Sequence, residues 1–189
     1  IIVAVLDHGT QLDHPDLNVS SKSYDTETGR SPSQIWGNHG TACSGIISAK
    51  TNNNLGVAGI APNCPVMSIS NQLMGTSDAP QKRADGFNWA WRNGASVISN
   101  SWRSSTFSEL LEDAIQSAMT NGRNGLGCVV TFSAGNYDSN TVGYPARSLP
   151  DIIVVGALSL SGKRKSSTTI DNEGWWGSDY GTQLDIMAP

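Results

Sequence analysis

Three polar side chains sit where the sequence can aim them, and their types suit one chemistry. Asp7 follows the apolar run Ile1-Ile2-Val3-Ala4-Val5-Leu6 and precedes His8-Gly9. His39 lies in Asn38-His39-Gly40-Thr41-Ala42-Cys43-Ser44-Gly45, at the opening of an apolar run over 42–49 that small polar residues interrupt. Asn136 ends Cys128-Val129-Val130-Thr131-Phe132-Ser133-Ala134-Gly135-Asn136. A carboxylate, an imidazole and an amide are parts for acyl transfer. The carboxylate orients the imidazole and stabilises its charged form, the imidazole takes a proton from a nucleophile, and the amide donates to a developing oxyanion. Histidine suits the middle role because its protonation changes nearest neutral pH. A lone histidine at a helix start reads as a cap; the two other stretches favour chemistry here.

The elements that must position these groups follow from pattern. A β-branched apolar run ending before glycine reads as a buried parallel strand, and its carboxyl end is where open α/β sheets build sites. His39 is expected on the first turn of a buried helix running to about residue 49 or 50. Further strands are expected over 64–70, 95–101, 128–136 and 152–157. One helix is expected over about 81–93, with Phe87, Trp89, Ala90 and Trp91 in the core and Gly94 as its stop. Another spans about 108–121, with Leu110, Leu111, Ala114, Ile115 and Ala118 on one stripe, and 122–127 closes it. Residues 19–37 read as an irregular surface stretch. Strands alternating with helices imply an α/β fold of three layers, a mostly parallel sheet with right-handed crossovers and helices on both faces. The sequence shows no internal repeat or linker, so residues 1–189 are expected to form a single domain.

Seven stretches in order carry a resemblance. They are Val3-Ala4-Val5-Leu6-Asp7-His8-Gly9, His14-Pro15-Asp16-Leu17, His39-Gly40-Thr41, Gly56-Val57-Ala58-Gly59-Ile60-Ala61-Pro62, Ser133-Ala134-Gly135-Asn136, Val142-Gly143-Tyr144-Pro145-Ala146 and Leu184-Asp185-Ile186-Met187-Ala188-Pro189. Each alone is weak, but the ordered set resembles the subtilases, the subtilisin-like serine proteases (peptidase S8). The resemblance implies that Asp7 is the triad carboxylate, His39 the general base and Asn136 the oxyanion donor of a serine endopeptidase. The family's nucleophile lies in a Gly-Thr-Ser-x-Ala stretch opening a later helix. The expectation is that this chain has no such stretch, that the serine lies beyond Pro189, and that the chain is a catalytic-domain fragment cut at both ends and inactive alone.

The resemblance implies further sites. Asp16, the Asn53 side chain and the carbonyls of Thr51, Leu55 and Val57 would ring a structural calcium ion (Ca2+), for which oxygen donors are suited; the alternative is an Asn-rich turn without an ion. A peptide or protein substrate would be added as a strand along Thr76-Ser77-Asp78 and Ser101-Trp102-Arg103. The family usually has glycine where Arg103 and Ser104 fall, so Arg103 should narrow the pocket for the first unprimed side chain or charge its rim; the alternative has Arg103 pointing to solvent. Tyr137 is a second candidate at that pocket. A small hydroxyl residue usually follows the triad carboxylate, and His8 replaces it, which changes the surroundings of Asp7. His14 matches a structural turn. Secretion is implied by the family alone.

Composition narrows the rest. Net charge is −4 and there is no basic stripe, which argues against a nucleic-acid partner. Lys163-Arg164-Lys165 reads as a solvated loop. No apolar run approaches membrane-spanning length. Three cysteines, Cys43, Cys64 and Cys128, have no metal-ligand spacing; Cys43 is expected as a buried small hydrophobe, with a Cys43–Cys64 bridge as the alternative. Two competing functions stand beside the protease. One is a non-catalytic subtilase-like peptide-binding module. The other is a metallohydrolase using Asp7, His8, Asp13, His14, Asp16 and His39, although no His-x-x-x-His pair is present.

Overall fold

The N-terminal apolar run forms β1 (Val3–Asp7), and all five of its residues are buried. The computed structural model describes residues 1–171 and 173–189. The chain divides into two compact units, Ile1–Ser101 with Ser108–Val130, and Trp102–Phe107 with Thr131–Pro189. After β1 come β2 (Tyr24–Asp25), α1 (His39–Ser48), β3 (Val66–Ser70), α2 (Ala79–Arg92), β4 (Val97–Asn100), α3 (Glu109–Gly125), β5 (Val129–Ser133), β6 (Ile153–Ala157) and β7 (Ile186–Ala188).

In the first unit the strand order is β2-β3-β1-β4, and each pairing is parallel. β1 therefore has a strand on either side and a covered face above and below, which is why its sequence is continuously apolar rather than alternating. Register assigns the faces: Val5 lies beside Ser68 and Leu6 beside Ile69. Helix α2 covers the Leu6 face, because a Cβ on its Gly86 would stand 2.9 Å from Leu6 Cδ1 and 3.0 Å from Ile69 Cγ2. Helix α1 covers the Val5 face. Thr10 N–H donates to Ser68 Oγ at 2.9 Å, and the Thr10 hydroxyl lies 2.6 Å from that of Ser44 in α1. Alternation along β1 puts Asp7 on the Val5 face, toward α1.

The expectation of a buried His39 helix is corrected. Its buried residues are Gly40, Ser44 and Ser48, whereas Ile46 is 68% exposed. The cause is close approach: a Cβ on Gly40 would lie 2.5 Å from the Gly9 carbonyl oxygen. Only small residues fit on that side, and the serine hydroxyls that face inward donate to carbonyls one turn back, Ser44 to Gly40 and Ser48 to Ser44. Ala42 and Ile46 are left to the outer side, and Ala49, just past the end of the helix, is buried.

Residues 19–37 are not wholly irregular. Tyr24 and Asp25 form the edge strand β2 on β3, too short and polar for its pattern to show. Tyr24 stacks on Trp89 of α2, and Asp25 is buried. Burial alone would raise the Asp25 carboxyl, but hydrogen bonds from Thr28, Trp36, Ser70 and the Glu27 N–H outweigh it and hold it below the usual range. Helix α3 opens at Ser108, whose hydroxyl accepts from Leu111 N–H, a serine N-cap. Its stripe is Leu111, Ala114, Ile115 and Ala118; Leu110 is 47% exposed and falls outside it. Helix α2 stops before Gly94, at φ +98°, a conformation suited to glycine at a helix end.

The second unit carries β5 from Thr131 onward, β6 and β7, with β5–β6 and β6–β7 parallel; β7 leaves no mark in the sequence pattern because it is only three residues long. The basic run at 163–165 is a solvated loop only at Lys163, which is exposed. Lys165 is buried. Its ammonium donates to the carbonyls of Ser166, Glu173 and Trp176 and stands 3.4 Å from Asp171. A buried lysine is tolerated when its donors are matched in this way. Arg164 donates to Asp138. Cys43, Cys64 and Cys128 are each unpaired.

Candidate active site

Asp7 ends β1 with its carboxylate buried, and His39 is the first residue of α1. His39 Nδ1 is 2.9 Å from Asp7 Oδ1 and 2.9 Å from Oδ2. Asp7 Oδ1 also accepts from the backbone N–H of His8 at 2.7 Å. The histidine at position 8 thus leaves the carboxylate a donor, because the main chain supplies it. The His8 ring stands edge-on to His39 with centroids 6.3 Å apart. Gly37 makes room for His8: a Cβ there would lie 2.8 Å from His8 Nδ1. The His39 side chain is 52% exposed and that of Asp7 1%. One side of the imidazole is therefore fixed by a buried anion while the residue remains open to solvent.

Cys43 lies one helical turn after His39, with Sγ 3.7 Å from Nδ1 and 3.9 Å from Nε2. It is half-buried, not the buried hydrophobe expected, and its thiol also donates to Ser101. Burial, then the charge of Asp7, push this thiol above its ordinary value, so it is a neutral neighbour of the imidazole and not a thiolate. The i, i+4 spacing of His39 and Cys43 is a usable sequence signal for this contact. Asp7, His39 and Cys43 place their donor atoms within 4.8 Å of one another. Both Asp7 oxygens are turned on His39 Nδ1 and the thiol is protonated, which is the arrangement of a hydrogen-bonded pair rather than of separate metal ligands. Of the other metallohydrolase candidates, His14 Nδ1 accepts from Asp16 N–H within its own turn.

Asn136 belongs to the second unit and is exposed. It follows Gly135, which adopts φ +118°. With Ser133, Gly156, Trp176 and Ala188 it lines a cavity of about 200 Å³. The loop after it is held by Asp179, a residue that sequence reasoning missed. Asp179 is buried and its Oδ1 accepts the N–H groups of Tyr137 and Ser139 at 2.9 Å each. Nothing in Ser178-Asp179-Tyr180 marks this role. Arg103 does not point freely into solvent: its guanidinium lies 4.3 Å over the Tyr137 ring and Nη1 is 3.7 Å from Asp179 Oδ2.

Thr76, Ser77 and Asp78, expected along the substrate, form an exposed turn before α2. Asp78 pairs with Lys82 at 2.9 Å, and hydrogen bonds from Thr76 and Lys82 lower its carboxyl. The expectation that no Gly-Thr-Ser-x-Ala stretch occurs is corrected: Gly75-Thr76-Ser77-Asp78-Ala79 has that pattern and opens a helix. It precedes Asn136 in the chain, however, and among the described residues no hydrogen bond joins Ser77 to His39. Trp102, expected along the substrate, is buried edge-to-face against Phe132. Asp16 and the loop over 51–57 do come together. Asp16 accepts from Asn53 Nδ2 at 2.7 Å and Val57 N–H at 3.1 Å, and these two bonds, the Asn53 one first, lower its carboxyl. Asn52, Asn54 and Gly56 all have positive φ, curling the loop so tightly that a Cβ on Gly56 would lie 2.2 Å from Asp16 Oδ2.

Subtilisin NAT of Bacillus subtilis subsp. natto is 34% identical over 193 residues, covering 99% of this chain and 46% of that protein. A subtilisin of Bacillus pumilus is 34% identical over 99% of this chain and 63% of its own length. The chain spans about half the length of the curated relatives it matches. A crystal structure of MycP1 with its N-terminal propeptide removed superposes with a TM-score of 0.76 at 22% identity, covering 100% of this chain and 64% of that one, which shows the shared fold. The profile of the Subtilase family, Peptidase_S8, matches residues 1–189. With its parallel α/β fold and its buried aspartate on a helix-opening histidine, the chain belongs to the subtilase family.

Proposed function

We propose that the full-length protein is a serine endopeptidase whose carboxylate–imidazole pair, Asp7 and His39, lies in this chain. The observation that carries the reading is the contact of both Asp7 oxygens with His39 Nδ1. A buried carboxylate on Nδ1 fixes that nitrogen as the protonated one and leaves Nε2 to accept a proton from a nucleophile. The serine, held on a later segment outside this chain, attacks the peptide carbonyl as His39 takes its proton. His39 returns the proton to the leaving amine, and the acyl-serine is then hydrolysed by water activated in the same way. Asn136 donates to the tetrahedral oxyanion. A non-catalytic peptide-binding module is the second reading. It would need the edge segments but not an Asp7–His39 pair.

Substrate would lie along the backbones of Thr76-Ser77-Asp78 and Ser101-Trp102-Arg103. Arg103 is shared with Asp179 yet keeps 44% of its side chain exposed, so it favours small or acidic first unprimed residues over large aliphatic ones. A calcium ion at the 51–57 loop would be held by Asp16, Asn53 and the carbonyls of Thr51, Leu55 and Val57. The loop already encircles a carboxylate, and the ion would require the Asn53 amide to turn its oxygen toward Asp16. The subtilisin relatives favour an extracellular location, and among the described residues no helix is long and apolar enough to cross a membrane.

Three outcomes are expected. Fluorophosphonate labelling of the full-length protein, read by peptide mapping, should modify a serine outside residues 1–189 and fail in His39→Ala; a label on Ser77, or none on the folded protein, refutes the assignment. Arg103→Gly should shift a peptide-library profile toward large aliphatic residues at the first unprimed position, and an unchanged profile returns Arg103 to a bystander. Calcium should raise the Tm of the full-length protein, and Asp16→Asn should abolish that dependence; calorimetric titration without heat at this loop would exclude the ion.

A further inference from the structure

We propose that Asp179 is a positioning residue that clamps the loop bearing Asn136, with Arg103 as the lid on its charge. This rests on the reading of Asn136 as oxyanion donor. The clamp brackets Asn136 on both sides. The Asp179 N–H donates to the Gly135 carbonyl at 2.9 Å, and Asp179 Oδ1 accepts from Tyr137 and Ser139. Three backbone groups around Asn136 are thus bonded to one residue 40-odd positions later in the chain. Gly135 is the fit on the other side, since a Cβ there would stand 2.1 Å from Asp179 Oδ2.

The charge on Asp179 is the reason it can serve. Hydrogen bonds to an ionised acceptor are roughly twice as strong as neutral ones, and two such bonds resist motion of the segment between them. A fully buried carboxylate needs compensation. Asp179 Oδ2 accepts no hydrogen bond among the described residues, and Arg103 Nη1 faces it at 3.7 Å. Arg103 also stacks on Tyr137, so the cation that balances the clamp presses on the clamped loop. An oxyanion donor acts by being in place before charge develops, and a donor on a loop depends on such support.

The test is a double-mutant cycle on the full-length protein, with kcat and KM on a peptide substrate and amide hydrogen exchange over 135–139. Asn136→Ala should lower kcat by about two to three orders of magnitude, a size carried over from the same deletion in a subtilisin. Asp179→Ala should lower kcat by roughly tenfold or more with KM nearly unchanged, because the lost interaction belongs to the transition state. Asp179→Asn keeps an acceptor oxygen and loses the charge, so its kcat should fall between. In the Asn136→Ala background, both Asp179 substitutions should have no further effect on kcat, to within about twofold. Losses that multiply, or wild-type kcat in Asp179→Ala, overturn the proposal. If Asp179→Ala does not fold, the cycle with Asp179→Asn decides by the same criterion. If the wild-type protein neither hydrolyses peptide nor takes the fluorophosphonate, the proposed function fails by itself. The clamp is then judged on exchange at Tyr137 and Ser139, which should accelerate in Asp179→Ala; unchanged exchange rejects it.

Discussion

A carboxylate at the end of a fully buried strand must find hydrogen-bond donors, and this requirement organises the first unit. Asp7 takes one N–H from His8 and the imidazole of His39. For the imidazole to reach it, α1 must begin close above the end of β1. That forces Gly40 against Gly9 and leaves only serine-sized residues along the inner side of the helix. The helix is held there by the hydroxyl contacts of Thr10, Ser44 and Ser68 and by little apolar burial. Removing His39 would leave the buried Asp7 carboxylate with the His8 N–H as its remaining donor among the described residues.

The second unit solves a related problem with the opposite sign of exposure. Asn136 is exposed and sits on a loop, so its geometry comes from neighbours. The loop is tied through Asp179 and through Asp138, whose N–H donates to the Gly177 carbonyl and whose carboxylate accepts from Arg164. Arg103 and Arg164 each lie over a tyrosine ring, Tyr137 and Tyr180 respectively. Buried Lys165 plays a like part, gathering three carbonyls and Asp171. Polar side chains bonded to loop backbone do here what an apolar core does elsewhere.

The strand that carries Asp7 is legible because burial on both faces writes itself as an unbroken apolar run in residues 1–6; β5 reads as a strand from its β-branched run at 129–131, although Val129 is exposed. Asp7, His39 and Asn136 can be picked out because each ends or opens such a run. What stays hidden has physical causes. The direction of α1 misleads because apolar content suggests burial, while the space above Gly9 admits no large side chain. Lys165 misleads because charge suggests solvent, and its cage of carbonyls leaves no trace in composition. Asp179 is invisible because its partners are backbone N–H groups of a loop 40-odd residues away. Cys43 is readable in principle from its spacing to His39. The Gly-Thr-Ser-x-Ala pattern at Gly75 shows the converse, a motif whose residues are present without a bond to the histidine it would need.

The proposed chemistry depends on Asp7 holding His39 in its working tautomer. The most direct measurement is kcat of the full-length protein with Asp7→Asn on a peptide substrate, alongside a fold check by circular dichroism. A folded variant with kcat reduced by about 10⁴, the size seen when a triad aspartate is neutralised with geometry intact, is the predicted result. A folded Asp7→Asn protein within about tenfold of wild type would contradict it, because the buried contact would then be structural and the base would lie elsewhere.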